Sequence, residues 1–343
     1  MIYPWQLDDW NRLQQLRAQW PHALLLHGQA GIGKLHFAQH LAQGLLCEAP
    51  AANGEPCKAC VACRWFEQGN HPDYRMVVPE ALAAEAGAGG AAPPEEKGDA
   101  DDGKKTRAPS KEIKIEQVRA LLDFCGVGSH RGGARVVLVY PAEALNAASA
   151  NALLKTLEEP PAGVVFLLVS ARIDRLLPTI VSRCRQWPMP TPTPERAQAW
   201  LVGESVADAA AFLAEAGGAP LAARALAADE NRALRDFALK QLAAGPDCDA
   251  FACGEALQKV PVPVVLGWLQ RWLYDLLAEH TARRPRYFPA AARELANCAA
   301  RIDANAFARY LRAVTRERAL ENHPLNARLV FEALFLGYRD LFV

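Results

Sequence analysis

Apolar positions in the first half of the chain fall in short unbroken runs separated by stretches of helical period. Ala23 to Leu26 leads into His27-Gly28, Val136 to Val139 and Val164 to Val169 are the strongest runs, and Arg75 to Val78 is a weaker one. Such runs suit parallel strands covered on both faces. Between them the spacing predicts three helices. One runs from Lys34 to about Leu46. One begins near Ile113 and carries Ile115, Val118, Leu121 and Leu122. One covers Ala142 to Glu159 and is stopped by Pro160-Pro161. Strands alternating with helices predict a doubly wound α/β domain.

After Trp187-Pro188-Met189-Pro190 the strand signal disappears, and Pro190, Pro192 and Pro194 mark a boundary. Residues from about 191 to 243 are Ala-rich and helical, interrupted at Gly217-Gly218. Helical pattern continues to the end. Val265, Trp268, Leu269, Trp272 and Leu276 form one apolar stripe, and Asn326 is placed to cap a last helix with Leu329, Val330, Ala333, Leu334 and Leu336. These stripes read as core. Residues 81–110 break the pattern with Ala, Gly, Pro and charge, too little apolar surface to offset the entropy of ordering, and are expected to form a flexible insertion.

Composition narrows the function. The chain has 343 residues, 51% of them hydrophobic, enough for two or three domains. Its 38 basic and 38 acidic side chains cancel. A protein that held DNA by itself would show a basic excess, so partner proteins are the better expectation. No apolar run is long enough for a membrane span, and the start, Met1-Ile2-Tyr3-Pro4-Trp5 followed by Asp8 and Asp9, lacks the features of a signal peptide. A cytoplasmic location is expected.

Gly28-Gln29-Ala30-Gly31-Ile32-Gly33-Lys34-Leu35 follows a predicted strand and opens a helix, the context of a phosphate-binding loop. Gly28, Gly31 and Gly33 would let backbone N–H groups close on phosphate, and Lys34 would reach the β- and γ-phosphates. The next residue should bring a hydroxyl to magnesium, but Leu35 has no oxygen. At the end of the run Val136 to Val139, Tyr140 and Pro141 stand where Asp and Glu would serve, and Glu143 lies past the strand end. Phosphoryl transfer in such enzymes needs the metal. The expectation is a nucleotide-binding fold without the chemistry, its loop empty or holding nucleotide weakly.

Cys47, Cys57, Cys60 and Cys63 read C-x9-C-x2-C-x2-C. Two residues between cysteines let both sulfurs reach one ion, Gly54 and Pro56 supply turn chemistry, and four thiolates suit a closed tetrahedral zinc site with a structural role. Iron–sulfur spacing is matched only in part, and free loop thiols are the remaining reading. The other five of the nine cysteines read as small apolar side chains.

Several segments together resemble the delta-prime family of bacterial DNA polymerase III clamp-loader subunits: Tyr3-Pro4-Trp5, His22-Ala23-Leu24-Leu25, the cysteine module with Gly69-Asn70-His71-Pro72-Asp73, Asn151 through Pro161, Ser182-Arg183-Cys184 and Asn322-His323-Pro324-Leu325-Asn326. The resemblance implies an AAA+-like α/β domain over residues 1–189, a small helical lid over 190–243 and a helical collar over 244–343 that holds a hetero-pentamer together. It implies gamma/tau and delta subunits as partners, and the sliding clamp and primed DNA at one remove. Gamma/tau motors carry the metal motifs that Leu35, Tyr140 and Pro141 replace. They also have two threonines where Ser170 and Ala171 stand, and an arginine absent from Gly218-Ala219-Pro220-Leu221. These departures discriminate against the rival reading, an active gamma/tau-like ATPase, and the neutral net charge argues against a third, a zinc-containing nucleic-acid binder. On sequence alone Arg183 reads as a surface charge. The resemblance implies instead that it projects into a neighbour's ATP site, where its planar donors would meet the γ-phosphate.

Overall fold

The computed structural model describes residues 2–83, 109–282, 284–319 and 326–342. These divide into two compact units, Met1–Thr191 and Pro192–Val343. Most of the expected insertion, residues 84–108, and the segment 320–325 lie outside the described residues.

In the first unit, α1 (Leu7–Gln14) leads to β1 (Ala23–His27), α2 (Lys34–Leu46), α3 (Val61–Glu67) and β2 (Tyr74–Val77). Then follow α4 (Ile115–Gly126), β3 (Arg135–Val139), α5 (Ala147–Glu158), β4 (Val164–Ser170), α6 (Pro178–Arg183) and β5 (Arg185–Pro188). The strands form one parallel sheet in the order β2-β3-β4-β1-β5. β3 and β4 are buried along their whole lengths, as unbroken Val/Leu/Phe runs require in a sheet covered on both faces. One core cluster joins Leu25, Val137, Phe166 and Leu168 of the sheet to Val118 and Leu121 of α4 and Leu153 and Leu157 of α5. The described residues on either side of 84–108 are joined: Ala81 N–H donates to the Ser110 carbonyl (3.0 Å) and Ser110 N–H to the Glu80 carboxylate (3.0 Å).

Two sequence expectations need correction. The helix expected over Ala142 to Glu159 is divided. A 3-10 turn at Ala142–Ala144 ends in extended Leu145, which bridges to Ile113, and α5 starts only after Asn146. The Asn146 side chain accepts from Ser149 N–H (2.9 Å), a stronger start signal than the apolar spacing before it. The second is β5, a strand the apolar pattern does not mark. It pairs only with β1 at the sheet edge, and its residues are mostly exposed.

The second unit is helical: α7 (Pro194–Gly203), α8 (Ala209–Glu215), α9 (Pro220–Ala227), α10 (Arg232–Ala243), α11 (Ala250–Leu257), α12 (Val262–Ala282), α13 (Ala292–Ala299), α14 (Ala304–Ala319) and α15 (Ala327–Arg339). It holds two separate apolar clusters. One is built on Ala197, Leu201, Phe212, Leu213 and Ala223, the other on the α12 stripe with Phe331, Leu334, Phe335 and Tyr338. In the second, Trp272 donates to the Tyr338 hydroxyl (2.9 Å), which donates to the Leu242 carbonyl (2.6 Å), so the buried polar tips are paired. Asn326 caps α15 by accepting from Arg328 N–H, but Leu329 of the expected stripe points to solvent and Phe331 takes the core place. None of the described helices is long and apolar enough to cross a membrane. A parallel α/β domain followed by helices, as expected, is the fold observed.

Candidate functional site

The glycine loop lies between β1, beside the middle of the sheet, and the N-terminus of α2, outside the carboxyl ends of the strands where doubly wound sheets bind ligands. Gly33 ends the loop at φ +89°, a conformation a side chain rarely adopts. A Cβ there would stand 2.5 Å from the Tyr3 ring, and one at Gly28 would stand 2.3 Å from the Met189 carbonyl oxygen. Tyr3-Pro4-Trp5 therefore has a structural meaning. Tyr3 stacks on Trp5 with centroids 4.9 Å apart, and Trp5 Nε1 and Gln6 Nε2 both donate to the Ile32 carbonyl at 3.0 Å. The start of the chain straps the second half of the loop.

Lys34 is buried, and its amino group donates to the carbonyls of Gly28 (2.9 Å) and Gln29 (2.6 Å). Burial pulls its pKa down to about 8, against the opposing charge of Glu143. Burial and the Lys34 charge also lower His27. Beyond β3, the peptide bond Tyr140–Pro141 is cis, and Glu143 turns back so that one carboxylate oxygen accepts from Ala171 N–H (2.9 Å) while the other is buried without a hydrogen-bond partner. Ser170, wholly buried, accepts from Arg172 N–H (3.0 Å). Leu35, Tyr140 and Pro141 offer no carboxylate or hydroxyl of the kind that holds magnesium in P-loop enzymes.

The four cysteines converge. Cys47 follows the last residue of α2, Cys60 caps α3, and the four sulfurs lie within 4.8 Å of one another. Four sulfurs about 2.3 Å from one tetrahedral ion would stand about 3.8 Å apart. The Cys47–Cys60 separation is 3.9 Å. Backbone N–H groups point at the sulfurs: Cys57 N–H to Cys47 Sγ (3.3 Å), Cys60 N–H to Cys57 Sγ (3.3 Å) and Cys63 N–H to Cys60 Sγ (3.4 Å). The N–H groups of Ala59 and Cys60 bring Cys57 down to about 6, whereas burial raises Cys47 and Cys63. The donor set fits a closed zinc site.

Beside this module a buried ion pair accounts for Asp73, which sequence reading noted only by resemblance. Asp73 accepts from Ser129 Oγ (3.2 Å), His130 N–H (2.9 Å), Arg131 N–H (3.2 Å) and Arg135 (3.3 Å). Burial alone would raise its pKa, but these donors hold it below the usual carboxylate range. Arg135 also lies over the Phe124 ring, and Arg131 over Trp65.

Arg183 closes α6. Its Nη1 donates to the Thr179 carbonyl (2.8 Å) and its Nη2 to the Glu158 carboxylate at the end of α5. The side chain is about one-third exposed, and neither partner belongs to the glycine loop. The structure thus brings the four cysteines together, keeps the glycine loop with its lysine, and sets Arg183 at a different edge.

A family model described as DNA polymerase III, delta subunit, matches residues 7–193. The DNA polymerase III subunit delta' of Pseudomonas aeruginosa is 38% identical over 288 residues, 80% of this chain and 77% of that one. The tau subunit of Salmonella typhimurium is 36% identical over 166 residues, 48% of this chain and 21% of that one. Among solved structures, a DNA polymerase III gamma subunit-related protein of Thermotoga maritima aligns over 97% of this chain and 99% of that chain at 17% identity, with a TM-score of 0.47. The likeness to tau is partial where that to delta' spans most of both chains, and the chain belongs to the delta-prime family of DNA polymerase III subunits.

Proposed function

We propose that this chain is a non-catalytic clamp-loader subunit of a cytoplasmic DNA polymerase III holoenzyme. It assembles with gamma/tau and delta subunits in a hetero-pentamer, helps place the sliding clamp on primed DNA, and offers Arg183 to a neighbouring subunit's ATP. The division 1–189, 190–243 and 244–343 gives the corresponding AAA+-like, lid and collar domains. The observation that carries the reading is the split between the two cationic groups. Lys34 is turned onto its own loop carbonyls, while Arg183 is held at an open edge. Leu35 cannot hold magnesium and Tyr140 cannot replace an aspartate, so these positions do not supply the metal that neutralises charge on a transferring phosphoryl group. An arginine supplied in trans can do so at the neighbour's site, because its planar donors meet phosphate oxygens in pairs.

Zinc in the Cys47, Cys57, Cys60 and Cys63 site would supply a tetrahedral cross-link tying the end of α2 to the start of α3. The purified chain is expected to carry one zinc per chain, and Cys60→Ser to lower its melting temperature with little change in ATP turnover by the complex. Iron in a careful metal analysis, or no metal, refutes the assignment.

The test of function is steady-state ATPase and clamp loading by the reconstituted complex. Trans-acting arginines contribute on the order of 10³–10⁵ in rate at the site they serve. A loader with several sites should lose less overall, but Arg183→Ala should slow DNA-stimulated turnover and loading with assembly intact. Arg183→Lys should rescue poorly for want of the planar fork. Robust hydrolysis by the chain alone, abolished by Lys34→Ala, would instead support the gamma/tau-like reading.

A further inference from the structure

We infer that Glu158 is a positioning residue for Arg183, aiming its guanidinium at the neighbouring subunit's nucleotide; this rests on the trans-acting role proposed above. Glu158 is the last residue of α5 and Arg183 the last of α6. The two lie 25 residues apart in sequence, and their side chains meet where the two helices end. Pro160-Pro161 stops α5 just beyond Glu158 and so leaves this carboxylate at a helix end. The guanidinium is held from two directions. Nη1 is docked on the Thr179 carbonyl, which also accepts from Ser182 Oγ at 3.0 Å, and Nη2 is docked on Glu158. Of the five N–H donors of a guanidinium, these contacts engage one on each terminal nitrogen, and the others remain for oxygens arriving from outside.

Folding stability does not explain the pair. The side chains are 32% and 47% exposed, and ion pairs so open to water contribute little to stability. The effect of the carboxylate is on conformation. A free arginine side chain samples many rotamers, and holding one before the phosphate arrives removes part of that entropic cost from the reacting state. Thr179 alone fixes one nitrogen and lets the plane turn, whereas Thr179 and Glu158 together fix the plane. Glu159, the next residue and also exposed, is not among the hydrogen-bond and ion-pair partners of Arg183, which are Thr179 and Glu158, and serves as a charge-matched control.

The experiment measures ATPase kcat and the KM for ATP in the reconstituted complex with primed DNA. It uses Glu158→Ala, Glu158→Gln, Glu159→Ala, Arg183→Ala and the double variant Glu158→Ala/Arg183→Ala. Loss of pre-orientation should lower kcat about three- to ten-fold in Glu158→Ala while KM moves less than about two-fold. Glu158→Gln, whose amide oxygen still accepts a hydrogen bond, should recover much of the loss, and Glu159→Ala should behave as wild type. The double variant should equal Arg183→Ala, since a residue that acts only through Arg183 has nothing left to aim. Unchanged kcat in Glu158→Ala beside a slow Arg183→Ala overturns the positioning role and leaves the trans-acting role standing. So does an additive double variant, or a faster Glu158→Ala, which would mean that the carboxylate restrains the arginine. Wild-type rates in Arg183→Ala overturn both.

Discussion

At the glycine loop the cationic group is turned inward. Lys34 is buried and spends its donors on the carbonyls of Gly28 and Gln29, the start of the chain packs over Gly33, and Glu143 is bonded to Ala171. At the α5–α6 edge the cationic group is left at the surface, tied to one helix carbonyl and one exposed carboxylate. The two regions differ in which partners satisfy their polar groups. In the loop the partners are internal, so the motif has become part of the packing of the domain. At the edge the partners are one helix carbonyl and one carboxylate open to water, so on the function proposed above the guanidinium is left able to meet a phosphate. A retained motif lysine therefore says little about function until its hydrogen bonds are known, whereas an arginine outside any apolar pattern can be the group that acts.

The contrast predicts that loop substitutions cost stability without costing turnover, and that edge substitutions do the reverse. The largest stability effect should come from Gly33→Ala. The new Cβ meets the Tyr3 ring at 2.5 Å in a backbone conformation that disfavours side chains. Strain and overpacking together should destabilise the chain by about 2–4 kcal/mol. Urea unfolding measures this directly, and a loss under about 0.5 kcal/mol would show that the strap of Tyr3 and Trp5 yields easily.

Lys34→Ala is next. It leaves two loop carbonyls without their donor, a cost of about 1–3 kcal/mol if water does not replace it. The substitution also has a pH signature. The folded pKa, about 8, lies below that of an unfolded lysine. Between the two the unfolded chain binds more protons than the folded one, so Lys34 makes stability rise with pH across that window and lowers it below. The wild-type chain should gain on the order of 1–3 kcal/mol relative to Lys34→Ala between about pH 8 and pH 10.5. Parallel pH dependences in the two proteins would mean that the amine is solvated. ATP turnover by the assembled complex should stay near wild type in Lys34→Ala throughout.

The two regions also differed in how much of them could be read from the sequence. β1, β3 and β4 were legible because a strand covered on both faces is apolar along its middle, with the polar residues His27, Arg135 and Ser170 only at strand ends. β5 was not, because an edge strand with one partner can carry Arg185 and Gln186. The break at Asn146 was announced by a capping residue that the apolar spacing on either side concealed. At the site, cysteine spacing predicted a cluster because ligands separated by two residues must share a turn, and the glycine loop was recognisable from strand, glycines and lysine in order. What Lys34 bonds to, and what the first residues pack on, depend on contacts that no local pattern encodes. Arg183 stood out only by resemblance, and Glu158 only as one residue of the resembling segment Asn151 through Pro161, with no role of its own. Their pairing spans 25 residues and exists only because α5 and α6 end side by side.

The smallest stability effect is the sharpest part of the comparison. Arg183→Ala removes a pair that is 32% and 47% exposed. Exposed pairs contribute about 0–1 kcal/mol, and the Thr179 carbonyl that loses one donor keeps the Ser182 hydroxyl (3.0 Å). Unfolding free energy should therefore change by less than about 0.5 kcal/mol, and Glu158→Ala should match it. The same Arg183→Ala protein, assembled with its partners, should show the largest loss of ATP turnover of any variant considered. Unfolding curves and turnover measured on one preparation decide the matter. A loss of stability comparable to that of Lys34→Ala would show that the edge, like the loop, is part of the packing. Any fall in turnover would then trace to a damaged α6 and give no evidence for an arginine acting on a neighbour's phosphate.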